Sequence, residues 1–229
     1  MSVWEEPEVA SKTLREPGIE PDDMWASVAV GAPRNLLLAG LDAFCDLGFD
    51  RTTTRDISAG AGVSPAALYV HYRSKEELLF VISRIGHQTA LELVRNTFSA
   101  KGDPAELMFG IAHKFTSWHA RNHRAARIFH REWAALSEDH RKAITAVRHK
   151  THSAVKKVIE DGIAAGQFNV MDPRGATFAI LSLGIDVNRW YRPNGPYTPE
   201  ELGNLYAQLS MNLLGFNRPP QWQPEVRQA

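Results

Sequence analysis

The sequence predicts an all-α fold, with a small N-terminal helical domain followed by a larger C-terminal one. From Pro33 onward, apolar residues recur at helical spacing for most of the 229-residue chain. No segment alternates between apolar and polar residues for long enough to indicate a sheet. Capping side chains also stand at several of the expected helix starts, which supports the same fold class.

Charge and composition divide the chain into four segments. Residues 1–31 carry two basic and seven acidic side chains, which predicts a solvated, flexible acidic extension. The two helical domains are expected at residues 32–80 and 81–216, and the Pro- and Gln-rich residues 217–229 are expected to fray. Because basic and acidic residues both number 26, the net charge by itself indicates no nucleic-acid partner.

Cysteine content and hydropathy indicate the compartment. Cys45 is the only cysteine, which excludes an internal disulfide framework and fits a reducing cytoplasm. No stretch approaches the roughly 20 consecutive apolar residues of a membrane helix, and the N-terminus has no basic region followed by an apolar run. We therefore expect a soluble, cytoplasmic protein with no membrane partner.

Four helices are predicted in the first part of the chain, the first over about residues 33–47 before a glycine. Thr53 caps the second, and Asp56 three residues later completes a capping box. Ser64 caps the third, with Pro65 at its first helical position, and a fourth continues from residue 74 into the 90s. Apolar periodicity predicts five further helical stretches, at residues 104–121, 123–136, 138–165, 173–190 and 198–215.

The most informative segment is the pair of short helices joined by a three-residue turn at residues 62–64. Ile57, Val63 and Leu68 would fill the small core between them, which leaves the start of the second helix exposed. Short side chains there would let the backbone approach base edges in a major groove: Ser64, Pro65 and Ala66. Groups suited to phosphate lie around it: Thr53, Thr54, Tyr69, His71, Tyr72 and Lys75. The pattern favours a helix-turn-helix on double-stranded DNA over a plain solvated face.

This segment resembles the DNA-binding domain of the TetR family. The shared features are Gly-Phe at 48–49, Thr-Thr-x-Arg-Asp-Ile at 52–57, Ala-Gly-Val-Ser at 61–64 and Leu-Tyr-x-His-Tyr-x-Ser-Lys-Glu-Glu-Leu at 68–78. The resemblance implies phosphate contacts from Thr53, Tyr69, Tyr72 and Lys75, and base-edge contacts from Arg55, Ser64, Pro65, Ala66 and Tyr69. Two features depart from the family: alanine replaces the usual glycine at position 66, and the preceding segment is acidic where many members are basic.

By the same resemblance, residues 81–216 form a ligand-binding and dimerisation domain, and a homodimer binds a palindromic operator. The last two helices carry apolar stripes that would pair with a second copy: Phe178, Leu181, Ile185, Leu202, Leu205, Leu209 and Leu213. Such stripes more often belong to an intrachain core. The resemblance favours the interface, because a dimer matches a two-fold operator.

Aromatic and histidine side chains crowd the middle of the chain and predict a pocket for a small-molecule effector, although each also fits an ordinary core. The candidates for its lining are His113, Trp118, His119, Phe129, Trp133 and Trp190. Residues 189–198 are similar to a linker of TetR-type regulators of lipid and steroid catabolism that respond to acyl-CoA thioesters. Four arginines suit a coenzyme A phosphate or a solvated face: Arg124, Arg127, Arg131 and Arg141.

Two histidine pairs have metal-compatible spacing, His119 with His123 and His149 with His152, but no carboxylate or cysteine completes either. We therefore expect no metal and no cofactor. The favoured function is a transcriptional repressor released from its operator by a small molecule, such as an acyl-CoA or another lipid- or steroid-derived ligand. Two alternatives remain: a helical enzyme that uses the histidines, although no nucleophile with a base is recognisable, and a ligand-binding protein that has lost operator recognition.

Overall fold

A computed structural model describes residues 24–98 and 102–216, and over these residues the fold is helical throughout. The helices are α1 (Ala32–Leu47), α2 (Thr54–Gly60), α3 (Pro65–His71), α4 (Lys75–Phe98), α5 (Pro104–Arg121), α6 (His123–Arg131), α7 (Glu138–Ala164), α8 (Pro173–Trp190) and α9 (Pro199–Leu213). The predicted all-α class is confirmed. The predicted stretch 123–136 divides into α6 and a 3₁₀ turn over Glu132–Ala135, after which Ser137 caps α7.

Local capping determines where most of these helices begin. Thr53 and Asp56 exchange hydrogen bonds in a capping box at α2, and Thr198 and Glu201 do the same at α9. The hydroxyl of Ser64 accepts the backbone N–H of Ala67 at 3.3 Å and so caps α3. The capping residues expected from the sequence therefore have their expected partners.

Most of the buried side chains form one large core that runs from α1 to the end of α9, and a small second cluster surrounds Leu202. Helix α4 connects its two ends, because Leu78 and Leu79 pack in the N-terminal part and Ala90 and Val94 pack in the C-terminal part. Helix α5 lies in the centre of the C-terminal part and is buried on nearly every side. A single rigid helix thus joins the two regions on which function was predicted to depend.

The end of the predicted acidic extension packs against the protein. Met24 is buried in the core, and the guanidinium of Arg34 donates to the carbonyls of Trp25 and Val28, each at 2.9 Å. The expectation of a solvated segment therefore does not hold at Met24. The rest of that extension, residues 1–23, and the predicted frayed tail, 217–229, lie outside the described residues. None of the described helices is both long enough and apolar enough to cross a membrane.

Candidate functional site

Helices α2 and α3 present one end of α3 to the outside. Ile57 and Leu68 are fully buried between the two helices, so the inner face of each helix is part of the core. Gly62 has φ +68°, a left-handed conformation that glycine adopts without a steric penalty, and it turns the chain between the helices. The opposite face of α3 is therefore exposed from its first residue.

The exposed face holds most of the residues predicted to contact DNA. Arg55, Thr53, Ser64, Pro65, Ala66 and His71 are exposed, and Thr54 is half-buried. The Tyr69 side chain is 55% exposed, and its hydroxyl lies 3.3 Å from that of Thr54. Small side chains at the start of α3 leave its backbone accessible, while hydroxyl groups stand beside it. This geometry suits a helix that enters a groove and is held by phosphate contacts.

Tyr72 and Lys75, also predicted to contact phosphate, have internal partners instead. Tyr72 is only 6% exposed, and its hydroxyl donates to the Pro33 carbonyl at 2.8 Å. The ammonium of Lys75 donates to three carbonyls, those of Phe49 at 2.8 Å, Asp50 at 3.2 Å and Thr52 at 3.0 Å. Tyr72 joins the end of α3 to α1, Lys75 joins the start of α4 to the loop after α1, and neither side chain shares the exposed face with Tyr69.

The C-terminal part encloses a cavity of about 420 Å³ between helices α4 to α8. Its apolar wall includes Phe115, Phe129, Phe178, Leu181 and Ile185. Its polar wall is rich in histidine: His87, His119, His130, His149 and His152, with Arg148 and Arg174 beside them. A volume in the range of roughly 300–1,000 Å³ with a mostly apolar lining is typical of small-molecule sites.

The deepest histidines of this cavity are neutral. Burial lowers the pKa of His87 to about 3 and that of His119 to about 4, and it lowers the pKa of His130 well below its ordinary value. The ring of His119 donates from Nδ1 to the Phe115 carbonyl at 2.8 Å, which leaves Nε2 as an acceptor. The cavity floor is therefore a set of uncharged hydrogen-bonding groups among aromatic rings.

A second cavity of about 580 Å³ adjoins the first and shares His130, Arg148, Ser182 and Ile185 with it. Its distinctive feature is positive charge, from Arg127, Arg131, Arg148 and Arg189. Arg131 pairs with Glu132 and Arg189 pairs with Asp186, whereas Arg148 has no ion pair among the described residues. We call these four residues the arginine cluster. The two cavities together offer an apolar chamber next to a site suited to anions.

Of the six residues predicted to line a pocket, His119 and Phe129 lie in the wall of the histidine-rich cavity. The other four lie elsewhere. Trp118 packs behind these two rings, and His113 packs against Gly203 of α9. Trp133 lies in an outer groove, where Arg148 contacts its ring, and Trp190 is exposed at the end of α8. Because α5 is buried on nearly every side, periodicity could not show which of its faces meets the cavity.

Several residues of these cavities were not predicted from the sequence. His87 was overlooked, although a histidine within the apolar pattern of α4 was a usable signal. Arg148 and Arg174 gave no local signal, because their position depends on helix packing. Arg189 begins the segment 189–198 that resembles the linker of acyl-CoA-responsive regulators, but it was not predicted to line a cavity. Of the four arginines considered for phosphate, Arg127 and Arg131 border the second cavity. The other two do not: Arg124 pairs with Asp42 at 3.1 Å, and Arg141 donates to the Leu136 carbonyl.

The predicted dimerisation residues divide between two faces. Leu205, Leu209 and Leu213 of α9 are 39–44% exposed and form a strip on the surface, with Leu183 and Phe178 of α8 also exposed. Leu202 is fully buried against Ala120, Val187 and Tyr191, because the first turn of α9 lies beside the end of α8. Leu181 and Ile185 are half-buried and line the histidine-rich cavity. For these three residues the structure shows intrachain packing.

The start of α4 is bonded directly to the start of α7. The Glu76 carboxylate accepts the backbone N–H of Ser137 and the Nδ1–H of His140, each at 2.8 Å, and the Phe80 and His140 rings stack at 3.7 Å. Burial raises the pKa of Glu76, but these hydrogen bonds outweigh burial, so the pKa is lowered overall. Because α7 also supplies Arg148 to the cavity wall, this contact joins the cavity to the base of the recognition domain.

Family models match most of the described chain. Residues 36–82 match the model described as bacterial regulatory proteins, tetR family, and residues 101–214 match the tetracyclin repressor-like C-terminal domain. The first match ends within α4, and the second begins just before α5.

Known proteins agree with this assignment. The chain is 27% identical to the HTH-type transcriptional repressor KstR2 of Mycolicibacterium smegmatis over 178 residues, which is 76% of this chain and 86% of that protein. A crystal structure of a tetR-family regulatory protein from Rhodococcus RHA1 is 32% identical, with a TM-score of 0.79, and the match covers 83% of this chain and all of that one. AibR in complex with isovaleryl coenzyme A and operator DNA shares the fold at 23% identity, with a TM-score of 0.71 over 78% of this chain and 97% of that one. These relatives are transcriptional regulators, and the chain belongs to the TetR family of bacterial regulatory proteins.

Proposed function

We propose that this chain is a cytoplasmic, homodimeric repressor that leaves its operator when an acyl coenzyme A thioester occupies the C-terminal cavities. The observation that carries this proposal is the position of α4. Its first turn begins four residues after the end of the recognition helix α3 and is bonded through Lys75 to the loop before α2. His87 and Ala90 in its middle form part of the cavity wall. At 1.5 Å per residue the 24-residue helix extends about 36 Å, far enough to serve both sites.

The chemistry of the two cavities supports an acyl-CoA as the effector. The histidine-rich cavity has the size and aromatic lining for an acyl group, and the adjoining arginine cluster provides cations for the phosphates of coenzyme A. Arg148 borders both cavities, and the pantetheine arm of coenzyme A would connect the acyl group in the first cavity to the phosphates in the second. AibR shows that a protein of this fold can hold isovaleryl coenzyme A together with operator DNA.

The exposed face of α3 supports operator binding. Ser64, Pro65 and Ala66 would face base edges, and Tyr69 with Thr54 would bind phosphate through their hydroxyls. Tyr72 and Lys75 would act by holding this face in position. The relatives named KstR2 are repressors, which supports repression as the mode of control.

The exposed strip on α9 supports a homodimer. Leu205, Leu209 and Leu213 repeat at intervals of four on one face, and Leu183 of α8 adds to the exposed apolar surface. Pairing α8 and α9 with their copies would bury these side chains in a four-helix interface. Two recognition helices about one DNA turn apart, roughly 34 Å, would then reach successive major grooves.

A mobility-shift titration on the DNA upstream of the gene tests this proposal. We expect specific retardation that octanoyl coenzyme A reverses, whereas free coenzyme A and octanoate do not. Equal affinity for upstream and scrambled DNA at physiological salt would contradict operator binding. Retardation that no acyl-CoA reverses would contradict the assigned effector.

The arginine cluster gives a sharper test of the same ligand. Arg148→Gln should weaken octanoyl-CoA binding about tenfold, because a charge-assisted contact to phosphate contributes roughly 1–2 kcal/mol. The matched control is Arg95→Gln, an exposed arginine on α4 that lies outside both cavities. Isothermal titration calorimetry measures both variants, and an unchanged affinity for Arg148→Gln would exclude this contact.

A further inference from the structure

Two buried histidines face each other in the cavity without hydrogen-bond partners at one ring nitrogen. His87 of α4 is only 7% exposed, and its ring centroid lies 5.3 Å from that of His130 of α6, edge to face. The Nε2 atoms of both rings are buried, and neither has a partner among the described residues. Buried polar atoms are almost always hydrogen-bonded in folded proteins, so an unpartnered pair in a cavity wall points to a ligand.

The chemistry of this pair restricts what it can bind. Both rings are uncharged, because burial disfavours the imidazolium form, so they are poorly suited to a phosphate or carboxylate. A neutral imidazole nitrogen suits a carbonyl or hydroxyl oxygen, which can accept or donate a hydrogen bond. No group of three metal-ligating side chains with suitable geometry occurs in residues 24–98 and 102–216.

A fully saturated acyl chain would leave both nitrogens unpartnered. Apolar groups already surround the pair, since the Phe129 ring lies 5.1 Å from that of His87 and 4.8 Å from that of His130. A hydrocarbon next to these rings would offer no hydrogen bond to either nitrogen, and such a site binds a ligand that lacks the matching polar group less tightly than one that carries it. The pair therefore discriminates against plain fatty acyl groups.

We propose that the acyl part of the effector carries a ketone or hydroxyl oxygen that hydrogen-bonds to Nε2 of His87 and His130. The proposal rests on the function assigned above, with coenzyme A held by the arginine cluster. His130 borders both cavities, whereas His87 borders only the histidine-rich one. The oxygen would thus lie near the junction of the two cavities, on the side of the histidine-rich one.

Calorimetric titration with matched thioesters tests this inference. The probes are octanoyl coenzyme A, 5-oxo-octanoyl coenzyme A and 7-oxo-octanoyl coenzyme A, which share chain length and headgroup. We expect at least one oxo compound to bind about tenfold or more tightly than octanoyl coenzyme A. If neither oxo compound binds more tightly, the inference is wrong, while binding of octanoyl coenzyme A still supports the proposed function. If none of the three binds, the proposed function fails and this inference fails with it.

Substitutions test whether His87 and His130 cause the preference for an oxo compound. His87→Leu and His130→Leu should each abolish the preference for the oxo compound while octanoyl coenzyme A binds as tightly as before or more tightly. His87→Gln keeps a hydrogen-bonding group and should retain part of the preference. The matched control is His123→Leu, which changes a histidine of α6 outside both cavities and should leave the preference unchanged. A preference that persists in both leucine variants would overturn the assignment, and the wild-type comparison remains decisive if a variant does not fold.

Discussion

The polar groups around the recognition helix and those of the histidine-rich cavity differ in whether they have hydrogen-bond partners within the protein. Around α3, the hydroxyl of Thr53, the hydroxyl of Tyr72 and the ammonium of Lys75 all have partners within the protein. In the cavity, Nε2 of His87 and Nε2 of His130 have none among the described residues. The first region is pre-organised to present a rigid surface, whereas the second keeps unused hydrogen-bonding capacity. A rigid surface suits DNA, which must be matched over a fixed shape. Free hydrogen-bonding groups suit a small ligand that the cavity encloses.

The largest expected effect follows from a charge on the recognition surface. Ala66→Glu should weaken operator binding about 100-fold or more, because it would place a carboxylate at the start of α3 inside the negatively charged groove of the DNA, and like charges across an interface cost several kcal/mol. Ala143→Glu places the same side chain at an exposed position of α7 and should leave operator affinity nearly unchanged. Fluorescence anisotropy with labelled operator measures both variants. Equal effects of the two substitutions would show that α3 does not face DNA.

Lys75 tests whether the polar groups near α3 act inside the protein. Lys75→Met removes three hydrogen bonds to the loop carbonyls and should lower the free energy of unfolding by about 2 kcal/mol. The control Lys150→Met removes an exposed lysine of α7 and should change stability little. Urea unfolding gives both values. The opposite result would be unchanged stability together with a salt dependence of operator binding that falls by about one phosphate contact. That result would identify Lys75 as a direct phosphate ligand.

A substitution at Glu76 tests the contact between α4 and α7. Its lowered pKa means that its ionised form stabilises the fold at pH values above the ordinary value of 4.5, and that this contribution is lost as the pH falls through the lower folded-state pKa. Glu76→Gln should therefore lower stability by about 1 kcal/mol at pH 7 and make less difference below pH 4.5. Glu92→Gln, an exposed change on the same helix, is the control. A difference between wild type and Glu76→Gln that does not vary with pH would contradict this role of the carboxylate.

The smallest expected effect has the opposite sign and comes from the cavity. His87→Leu removes a buried, unpartnered nitrogen and should raise the stability of the ligand-free protein by about 1 kcal/mol. His123→Leu loses the hydrogen bond between Nδ1 and the Ala120 carbonyl, so it should not be stabilised. Thermal unfolding without ligand compares the two. A clear loss of stability in His87→Leu would mean that the histidine serves the fold and not a ligand.

Local chemistry made the fold and the recognition face predictable. The cap of α3 at Ser64 and the capping boxes at Thr53 and Thr198 depend on residues three positions apart, so they can be read from short segments. The exposed face of α3 followed from the same local pattern, because Ile57 and Leu68 define its buried side.

Contacts between distant segments could not be predicted in this way. Tyr72 reaches Pro33 and Lys75 reaches the loop after α1, and neither partner is visible from sequence spacing. Leu202 continues the apolar pattern of α9 but is enclosed by the end of α8. Arg148 belongs to the cavity only because α7 packs against α4, whereas His113 turns toward α9. The ligand site therefore required the tertiary structure, although its histidine-rich character was already present in the sequence.

Coupling between the cavities and the recognition helix is the central claim, and reciprocal binding tests it most directly. Octanoyl coenzyme A is titrated calorimetrically into the free protein and into the protein saturated with operator DNA. If α4 couples the two sites, octanoyl coenzyme A should bind more weakly to the DNA complex than to the free protein. The factor should equal that by which the thioester weakens operator binding, because linkage between two sites is symmetric. Equal affinities of octanoyl coenzyme A for the free and the DNA-bound protein would show that the two sites are independent.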